Sequence, residues 1–310
     1  MARRYCSSEE QPATYSAPGK IEIYTCIQYE FLTFKERNTY KFFSFRLFFR
    51  NFATKICMEV RMKRYILCLA AFTLSLYIQA FTVVIDAGHG GKDAGAVGRT
   101  AKEKDINLAV ALELGKLIEK NHPEVKVIYT RKTDVFVELN ERANIANKAK
   151  ADLFISVHTN STAAKVGPQG TETYTLGMHR AADNLAVAKR ENSVITLESN
   201  YEERYEGFDP SSSESYIIFE LMQDKYMEQS VELARNIQQE FKQTGKRKDK
   251  GVHQAGFLVL RATSMPSVLV ELGYVNNPTE EQFLKSQAGR QSLARCIYNG
   301  FAKYKKSIQK

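Results

Sequence analysis

Short apolar runs alternate with longer amphipathic stretches along the chain from residue 81 onwards. The short runs are rich in β-branched residues, which is typical of buried strands. The longer stretches repeat apolar residues at helical spacing, which indicates helices with one buried side. The predicted strands are 81–87, 125–130, 152–158, 171–176, 257–260 and 268–272, and the predicted helices are 105–120, 137–150, 181–197, 226–243 and 287–305.

This alternation predicts an α/β fold, because strands that alternate with helices form a parallel sheet covered by those helices. We expect a single domain with a twisted, mostly parallel sheet of about six strands and helices on both faces. Residues 200–214 depart from the pattern, since they hold five Asp and Glu residues together with glycine, proline and serine. We predict a loop there, and loops longer than about 12 residues in compact domains are usually functional or disordered.

The region before residue 81 has the pattern of a secretory signal peptide. A basic stretch at 61–64 precedes an uncharged run at 65–78 and the small residue Ala80, which indicates cleavage after Ala80. We therefore assign residues 58–80 as the signal peptide. An uncleaved membrane anchor is the alternative, although the run is shorter than the roughly 20 residues that a membrane-spanning helix needs.

Within residues 1–57, the stretch 42–50 is aromatic and basic without a clear helical or strand period. Because a signal peptide stands at the start of a protein, we expect translation to begin at Met58 or Met62. Residues 1–57 are then an upstream extension that is not part of the working protein, and residues 81–310 form its folded domain.

Charge and cysteine content narrow the function classes. The chain has 310 residues and a formal net charge of +9, of which +6 lies in residues 1–64 with twelve Lys and Arg against six Asp and Glu. The mild excess in the rest gives no support for nucleic-acid binding, which shows a concentrated basic patch, and is compatible with an anionic polymer as substrate. After residue 80 the only cysteine is Cys296, which we interpret as a buried, structural thiol.

Three predicted strands end at side chains that can bind metal or transfer protons. His89 follows the first strand in a glycine-rich loop, His158 ends the third, and Glu271 lies in the last. Ligands bind outside the carboxyl ends of the strands in open α/β sheets, so we expect these side chains to converge. Zinc in hydrolases is typically held by three His or carboxylate ligands, with water in the fourth position, and the two histidines would supply two ligands.

Spacing alone does not fix the third ligand. Glu103 opens the helix after the glycine loop, and the chain from His89 is long enough to fold back over one metal ion. The stretch 100–103 also fits a capping box, in which the glutamate only satisfies the helix terminus. The other histidines are interpreted as surface or loop residues: His122, His179 and His253.

Four blocks of sequence are highly specific when taken together: 84–95, 130–144, 155–160 and 259–277. On these blocks the chain resembles the zinc-dependent N-acetylmuramoyl-L-alanine amidases of the Amidase_3 family, which are bacterial cell-wall hydrolases. The resemblance implies hydrolysis of the amide between N-acetylmuramic acid and L-alanine in peptidoglycan. It further implies one zinc ion (Zn2+) per chain, and these site residues: His89, Glu103 and His158 as metal ligands and Glu271 as the catalytic glutamate.

The resemblance also bears on regulation. Some family members active in cell division carry an inserted segment that blocks the zinc until an activator moves it, and residues 188–192, the acidic loop and 216–223 resemble that insertion. We therefore expect autoinhibition by residues 193–216, with a glutamate in the open zinc position and a protein activator that relieves the block. Four residues of the second block are interpreted as scaffold hydrogen-bonding groups: Arg131, Asp134, Arg142 and Asn144.

Two other functions are kept as alternatives. One is a catalytically inactive peptidoglycan-binding regulator on the same fold, against which the complete set of ligands and Glu271 argues. The other is a zinc peptidase that cuts within stem peptides. We expect an exported, periplasmic or cell-envelope protein that acts as a monomer, either in wall remodelling or in daughter-cell separation.

Overall fold

A computed structural model describes residues 52–66, 80–179, 181–221 and 225–309. The chain divides into two compact units, Met1–Ile78 and Gln79–Lys310. In the first unit, residues 52–66 are helical with exposed side chains. The predicted extension 1–57 and signal peptide 58–80 lie largely outside the described residues. In the described part of the chain, no helix is both long and apolar enough to span a membrane.

Six strands of the second unit form one mixed sheet: β1 (Thr82–Ala87), β2 (Lys126–Tyr129), β3 (Leu153–Asn160), β4 (Thr171–Leu176), β5 (Asp249–Ala255) and β6 (Ser267–Tyr274). Their order across the sheet is β2-β1-β3-β6-β4-β5. β2, β1, β3 and β6 run parallel, whereas β4 is antiparallel to β6 and parallel to β5. The predicted α/β sheet of six strands is confirmed.

The helices of this unit are α1 (Glu103–Asn121), α2 (Leu139–Lys148), α3 (Ala182–Asn192), α4 (Tyr201–Arg204), α5 (Ile218–Leu221), α6 (Met227–Gln243), α7 (Leu258–Arg261), α8 (Pro278–Lys285) and α9 (Gln287–Ile308). Two 3₁₀ turns, Ser193–Leu197 and Glu214–Ile217, flank α4.

Alternate residues of the central strands face opposite sides of the sheet and build two hydrophobic clusters. Val83 and Ile155 belong to the first cluster, which packs against α1, α6 and α9. Val84 and Phe154 belong to the second, which packs against α2, α3 and buried residues of the segment 194–219. Side chains of successive strand residues point to opposite faces, so helices cover both faces, as predicted.

The sequence analysis was wrong in the region between α6 and β6. Residues 257–260, predicted as a strand, mostly form α7, and Asp249–Ala255 form a strand instead. A four-residue apolar run does not distinguish a strand from a buried helical turn. β5 lies at the sheet edge with half-buried and mostly polar side chains, so it lacks the apolar pattern of a buried strand, and His253 lies in it rather than in a loop.

Candidate metal centre

Two histidines and two glutamates converge at the carboxyl ends of β1 and β3. The ligand atoms of His89, Glu103, His158 and Glu191 all lie within 4.8 Å of one another, and all four residues are buried. Glu103 Oε1 is 3.2 Å from both His89 Nε2 and His158 Nδ1. Glu191 Oε2 is 3.0 Å and 2.9 Å from the same two nitrogens. The structure thus brings the three expected ligands together and adds Glu191.

The loop after β1 orients both imidazoles. His89 has a φ of 62°, a left-handed conformation that is uncommon for residues other than glycine. Its Nδ1 lies 2.6 Å from Asp93 Oδ2, and such a carboxylate fixes the ring orientation and the tautomer, so that Nε2 faces the other ligands. At Gly88 a Cβ would lie 2.3 Å from His158 Nε2, so only glycine leaves room for the second imidazole.

Two buried arginines hold this loop by donating hydrogen bonds to its backbone carbonyl groups. Arg142 donates hydrogen bonds of 2.8 Å to Asp86 Oδ1 and to the carbonyl oxygens of Ala87 and His89. Arg131 donates hydrogen bonds of 2.8 Å to the carbonyls of Ala87 and Gly88. These contacts agree with the scaffold role expected for the two arginines.

The other two expected scaffold residues differ from each other. Asp134 Oδ1 accepts a 2.7 Å hydrogen bond from the Gly91 amide, and its Oδ2 pairs with Lys104 Nζ at 2.7 Å, so Asp134 also holds the loop. Asn144 makes a long, exposed hydrogen bond of 3.4 Å to Glu141, which lies outside the loop.

Asp86 is a buried charge that the scaffold stabilises. Burial alone raises the pKa of Asp86, but the guanidinium of Arg142 and the hydroxyls of Ser156 and Thr130 more than offset this effect and lower the pKa below its usual value. Asp86 is therefore ionised and paired with Arg142 at 2.8 Å.

Glu103 is the first residue of α1 and is fully buried. Its Oε2 accepts a 2.8 Å hydrogen bond from the Ala96 amide, and its Oε1 accepts one of 2.8 Å from the Thr159 amide. The N-cap residue is Lys102, without a side-chain hydrogen bond. The alternative interpretation as a capping box with Thr100 is therefore wrong.

Glu191 reaches the site from the last turn of α3. The sequence analysis expected a glutamate from residues 193–216 in this position, and Glu191 lies two residues before that segment. The neighbouring Arg190 donates to Glu191 Oε1 at 2.7 Å and to the Ser161 carbonyl at 2.5 Å. Helical periodicity cannot show that a residue of one helix reaches side chains at the ends of distant strands; the similarity of residues 188–192 to the family insertion was the signal for it.

Hydrogen-bond geometry favours a metal ion at the convergence point. His89 Nε2 and Glu191 Oε2 are buried, and among the described residues neither atom has a hydrogen-bond partner in spite of their proximity. In a tetrahedral zinc site with bonds of about 2.0–2.1 Å, neighbouring ligand atoms are roughly 3.4 Å apart. Four of the six separations between the ligand atoms are 2.9–3.2 Å and all six lie within 4.8 Å, so the four groups can surround one divalent ion.

The charges at the site lead to the same conclusion. Burial alone would lower the pKa of both imidazoles, but the carboxylate of Glu191 raises that of His158 to about 9, and Glu103 raises that of His89. The two buried carboxylates thus require positive charge beside them. A metal ion supplies that charge without the protons, because a metal-binding histidine is neutral.

Glu271 lies opposite His158 in the register between β6 and β3. It is buried, and neither of its carboxylate oxygens has a hydrogen-bond partner within the described part of the chain. Arg190 Nη2 lies 3.5 Å from Glu271 Oε1. Burial, and then the nearby charge of Glu191, raise the pKa of Glu271 well above its usual value. A carboxyl group with a raised pKa holds a proton more readily and is suited to take up and release one during catalysis.

Sequence reasoning missed a second carboxylate beside Glu271. Glu172 on β4 lies opposite Glu271 on β6. The hydroxyl of Tyr174 donates a 2.5 Å hydrogen bond to Glu172 Oε2, the hydroxyl of Tyr274 donates to Oε1, and Lys250 Nζ lies 3.2 Å from Oε1. The antiparallel pairing of β4 with β6 creates this group, and strand periodicity does not reveal which strands pair.

Sequence and fold comparisons agree with this geometry. The family model for N-acetylmuramoyl-L-alanine amidase matches residues 83–303. The chain is 34% identical over 229 residues to N-acetylmuramoyl-L-alanine amidase AmiA of Escherichia coli K12, covering 72% of this chain and 75% of that protein.

Solved structures give the same result. An N-acetylmuramoyl-L-alanine amidase from Clostridium difficile 630 is 28% identical with a TM-score of 0.54, covering 74% of this chain and 98% of that one. The CwlD amidase from Clostridioides difficile, solved in complex with the GerS lipoprotein, is 26% identical with a TM-score of 0.50, covering 73% of this chain and 99% of that one. The chain belongs to the N-acetylmuramoyl-L-alanine amidase family and is a hydrolase of the amide bond that joins N-acetylmuramic acid to L-alanine in peptidoglycan.

Proposed function

We propose that this enzyme is a zinc-dependent peptidoglycan amidase in which His89, Glu103 and His158 hold one zinc ion and Glu271 transfers the proton. The observation that carries the proposal is the convergence of these three ligands next to a buried carboxylate whose two oxygens have no hydrogen-bond partner among the described residues. When bound, zinc would polarise the scissile carbonyl and lower the pKa of a water molecule toward about 7.

Glu271 performs the proton transfer in this proposal. Its carboxylate accepts a proton from the attacking water and returns it to the departing amine of L-alanine. Its position opposite His158 on the neighbouring strand keeps the carboxylate beside the ligand group. The rigid strand backbone holds this geometry, since both residues lie in the ladder between β3 and β6.

The contacts of α3 support the expectation of autoinhibition. Glu191 lies against both imidazoles, and Arg190 lies against Glu271, so α3 covers the two halves of the site with adjacent residues. Residues 193–216 continue from α3 and include buried apolar side chains, which would hold α3 in place. In our proposal a protein activator displaces α3; the complex of the CwlD amidase with GerS is a precedent for a protein partner.

The setting follows from the family and from the sequence. We propose that residues 58–80 direct export and that residues 81–310 act in the periplasm or cell envelope as a monomer, with 193–216 as the regulatory insertion. The cellular role is wall remodelling or daughter-cell separation, because the substrate is the wall itself.

Product analysis tests the proposed reaction. Purified peptidoglycan is incubated with the zinc-loaded enzyme, and the released material is analysed by mass spectrometry. Free stem peptides with an N-terminal L-alanine are expected. Fragments cut within the stem peptide would indicate a zinc peptidase, and no release under activated conditions would indicate a binding protein, so either result would overturn the proposal.

A Glu271→Gln variant tests the assignment of the proton-transfer group. We expect it to bind one zinc ion per chain with wild-type affinity and to lose turnover, because the amide cannot accept a proton. The matched control is Glu240→Gln, which changes a buried carboxylate at the contact between α6 and α9, where it accepts hydrogen bonds from the Thr244 hydroxyl and the Asn299 amide. Retained turnover in Glu271→Gln would show that another group moves the proton.

A further inference from the structure

Four side chains form a row across the sheet, one from each of four neighbouring strands. His158 lies opposite Glu271, and Glu271 lies opposite Glu172. The register between β4 and β5 shifts just after Thr171, which brings Lys250 beside Glu172, with Nζ 3.2 Å from Oε1. Neighbouring strands are about 4.8 Å apart, so Lys250 lies roughly 10 Å along the row from Glu271.

The carboxylate of Glu172 has hydrogen-bond donors besides Lys250. The two tyrosine hydroxyls already donate one hydrogen bond to each carboxylate oxygen. The Glu172 side chain is 6% exposed, whereas that of Lys250 is 29% exposed. A lysine ammonium has three donors, and within the described residues Glu172 is its only ion-pair partner. Lys250 therefore has donors left for a further acceptor at the open end of the row.

The orientation of the bound stem peptide relative to this row of side chains follows from the proposed role of Glu271. Glu271 returns its proton to the amine of L-alanine, so that amine must leave toward Glu271, and the stem peptide continues past it along the row. The second stem residue is D-glutamate, which is linked through its side chain and so retains a free α-carboxylate unless it is amidated. Two residues span at most about 7 Å of chain, and the long lysine side chain closes the remaining distance.

We propose that Lys250 determines specificity by binding the free α-carboxylate of the D-glutamate that follows L-alanine in the stem peptide. This inference rests on the proposed function. Tyr274, whose ring centroid lies 5.5 Å from Lys250 Nζ, supports the ammonium from the side, and Glu172 fixes its position. The amidase then prefers peptidoglycan whose D-glutamate is not amidated.

The test compares two soluble muramyl-peptide substrates that differ only in D-glutamate or its α-amide, D-isoglutamine. The full chain is assayed with zinc, and kcat/KM is measured for each substrate. We expect the wild type to prefer the D-glutamate substrate by roughly fivefold, the size of a partly exposed ion pair, with the difference mainly in KM. Lys250→Met should remove the preference, and Lys250→Arg should keep it.

Lys248→Met is the matched control, because Lys248 is an exposed lysine of the preceding segment, outside the row. It should keep the wild-type preference. The ratio of two substrates is independent of the folded fraction and of how far α3 is displaced, since both affect the two reactions equally. Equal cleavage of both substrates by the wild type, or an unchanged preference in Lys250→Met, would overturn the inference. Failure to cleave either substrate in the Glu191→Ala background, which lacks the covering carboxylate, would instead contradict the proposed function.

Discussion

The hydrogen bond between Asp93 and His89 should control metal affinity. Asp93 uses both carboxylate oxygens: Oδ2 faces His89 Nδ1 at 2.6 Å, and Oδ1 accepts a 3.0 Å hydrogen bond from the Gly95 amide. Asparagine has a single acceptor oxygen. If that oxygen stays on Gly95 in an Asp93→Asn variant, the amide nitrogen faces Nδ1 and favours the tautomer with its proton on Nε2, the atom that faces the other ligands.

If the asparagine oxygen instead faces His89 Nδ1, the Gly95 amide loses its acceptor and the loop that carries His89 is less firmly held. Loss of such a carboxylate partner typically weakens metal binding by about 10- to 100-fold, which corresponds to roughly 1.4–2.7 kcal/mol. We expect a loss in this range. It can be measured by competition for zinc with a chromogenic chelator, with the melting temperature recorded to confirm folding.

Asp134→Asn is the control for this experiment. Asp134 holds the same loop through the Gly91 amide and Lys104, but it does not contact His89. The Asp134→Asn variant should therefore bind zinc with nearly wild-type affinity. A folded Asp93→Asn protein that binds zinc as tightly as the wild type would refute the reasoning, because ring orientation would then not depend on this hydrogen bond.

Three further changes have defined outcomes. Gly88→Ala places a Cβ 2.3 Å from His158 Nε2, so it should abolish zinc binding, as measured by metal content after dialysis. Glu191→Ala should raise the activator-independent rate of peptidoglycan hydrolysis; an unchanged or lower rate would count against autoinhibition. Arg142→Leu strands the buried carboxylate of Asp86 and should cost about 3–5 kcal/mol of unfolding free energy, visible in thermal melts. The wild type should lose stability as the pH falls below about 4, because the pKa of Asp86 is lowered in the folded state. Arg142→Leu should instead become more stable as the pH is lowered from 7 to 5, because burial without the arginine raises the pKa of Asp86 in the folded state.

Strand ends could be predicted well from the sequence because the apolar runs that carry them are buried on both faces. His89, His158 and Glu271 each follow or interrupt such a run, and parallel pairing alone brings their strand ends together. The assignment of Glu103 as a metal ligand needed the family resemblance, since a glutamate at the start of a helix is equally consistent with capping. Its carboxylate accepts hydrogen bonds from the Ala96 and Thr159 amides and lies beside both imidazoles, an arrangement that only the folded loop determines.

Groups that depend on strand order or on helix docking could not be predicted. Glu172 and Lys250 meet because β4 runs antiparallel to β6 and pairs with β5, a choice that local periodicity does not encode. Glu191 meets the histidines because α3 docks on the second hydrophobic cluster, and it lies two residues before the segment 193–216 from which a glutamate was expected.

The second hydrophobic cluster sets how tightly the covering helix is held. Val187 of α3 and Phe208 and Tyr216 of the following segment share that cluster with Phe154 of the sheet. Exposing even two of these side chains costs roughly 3–6 kcal/mol, which keeps a spontaneously uncovered population below about 1%. In the proposed autoinhibition, such a low uncovered population would let a cell keep this hydrolase in contact with its own wall and release its activity only where a partner supplies the free energy of opening.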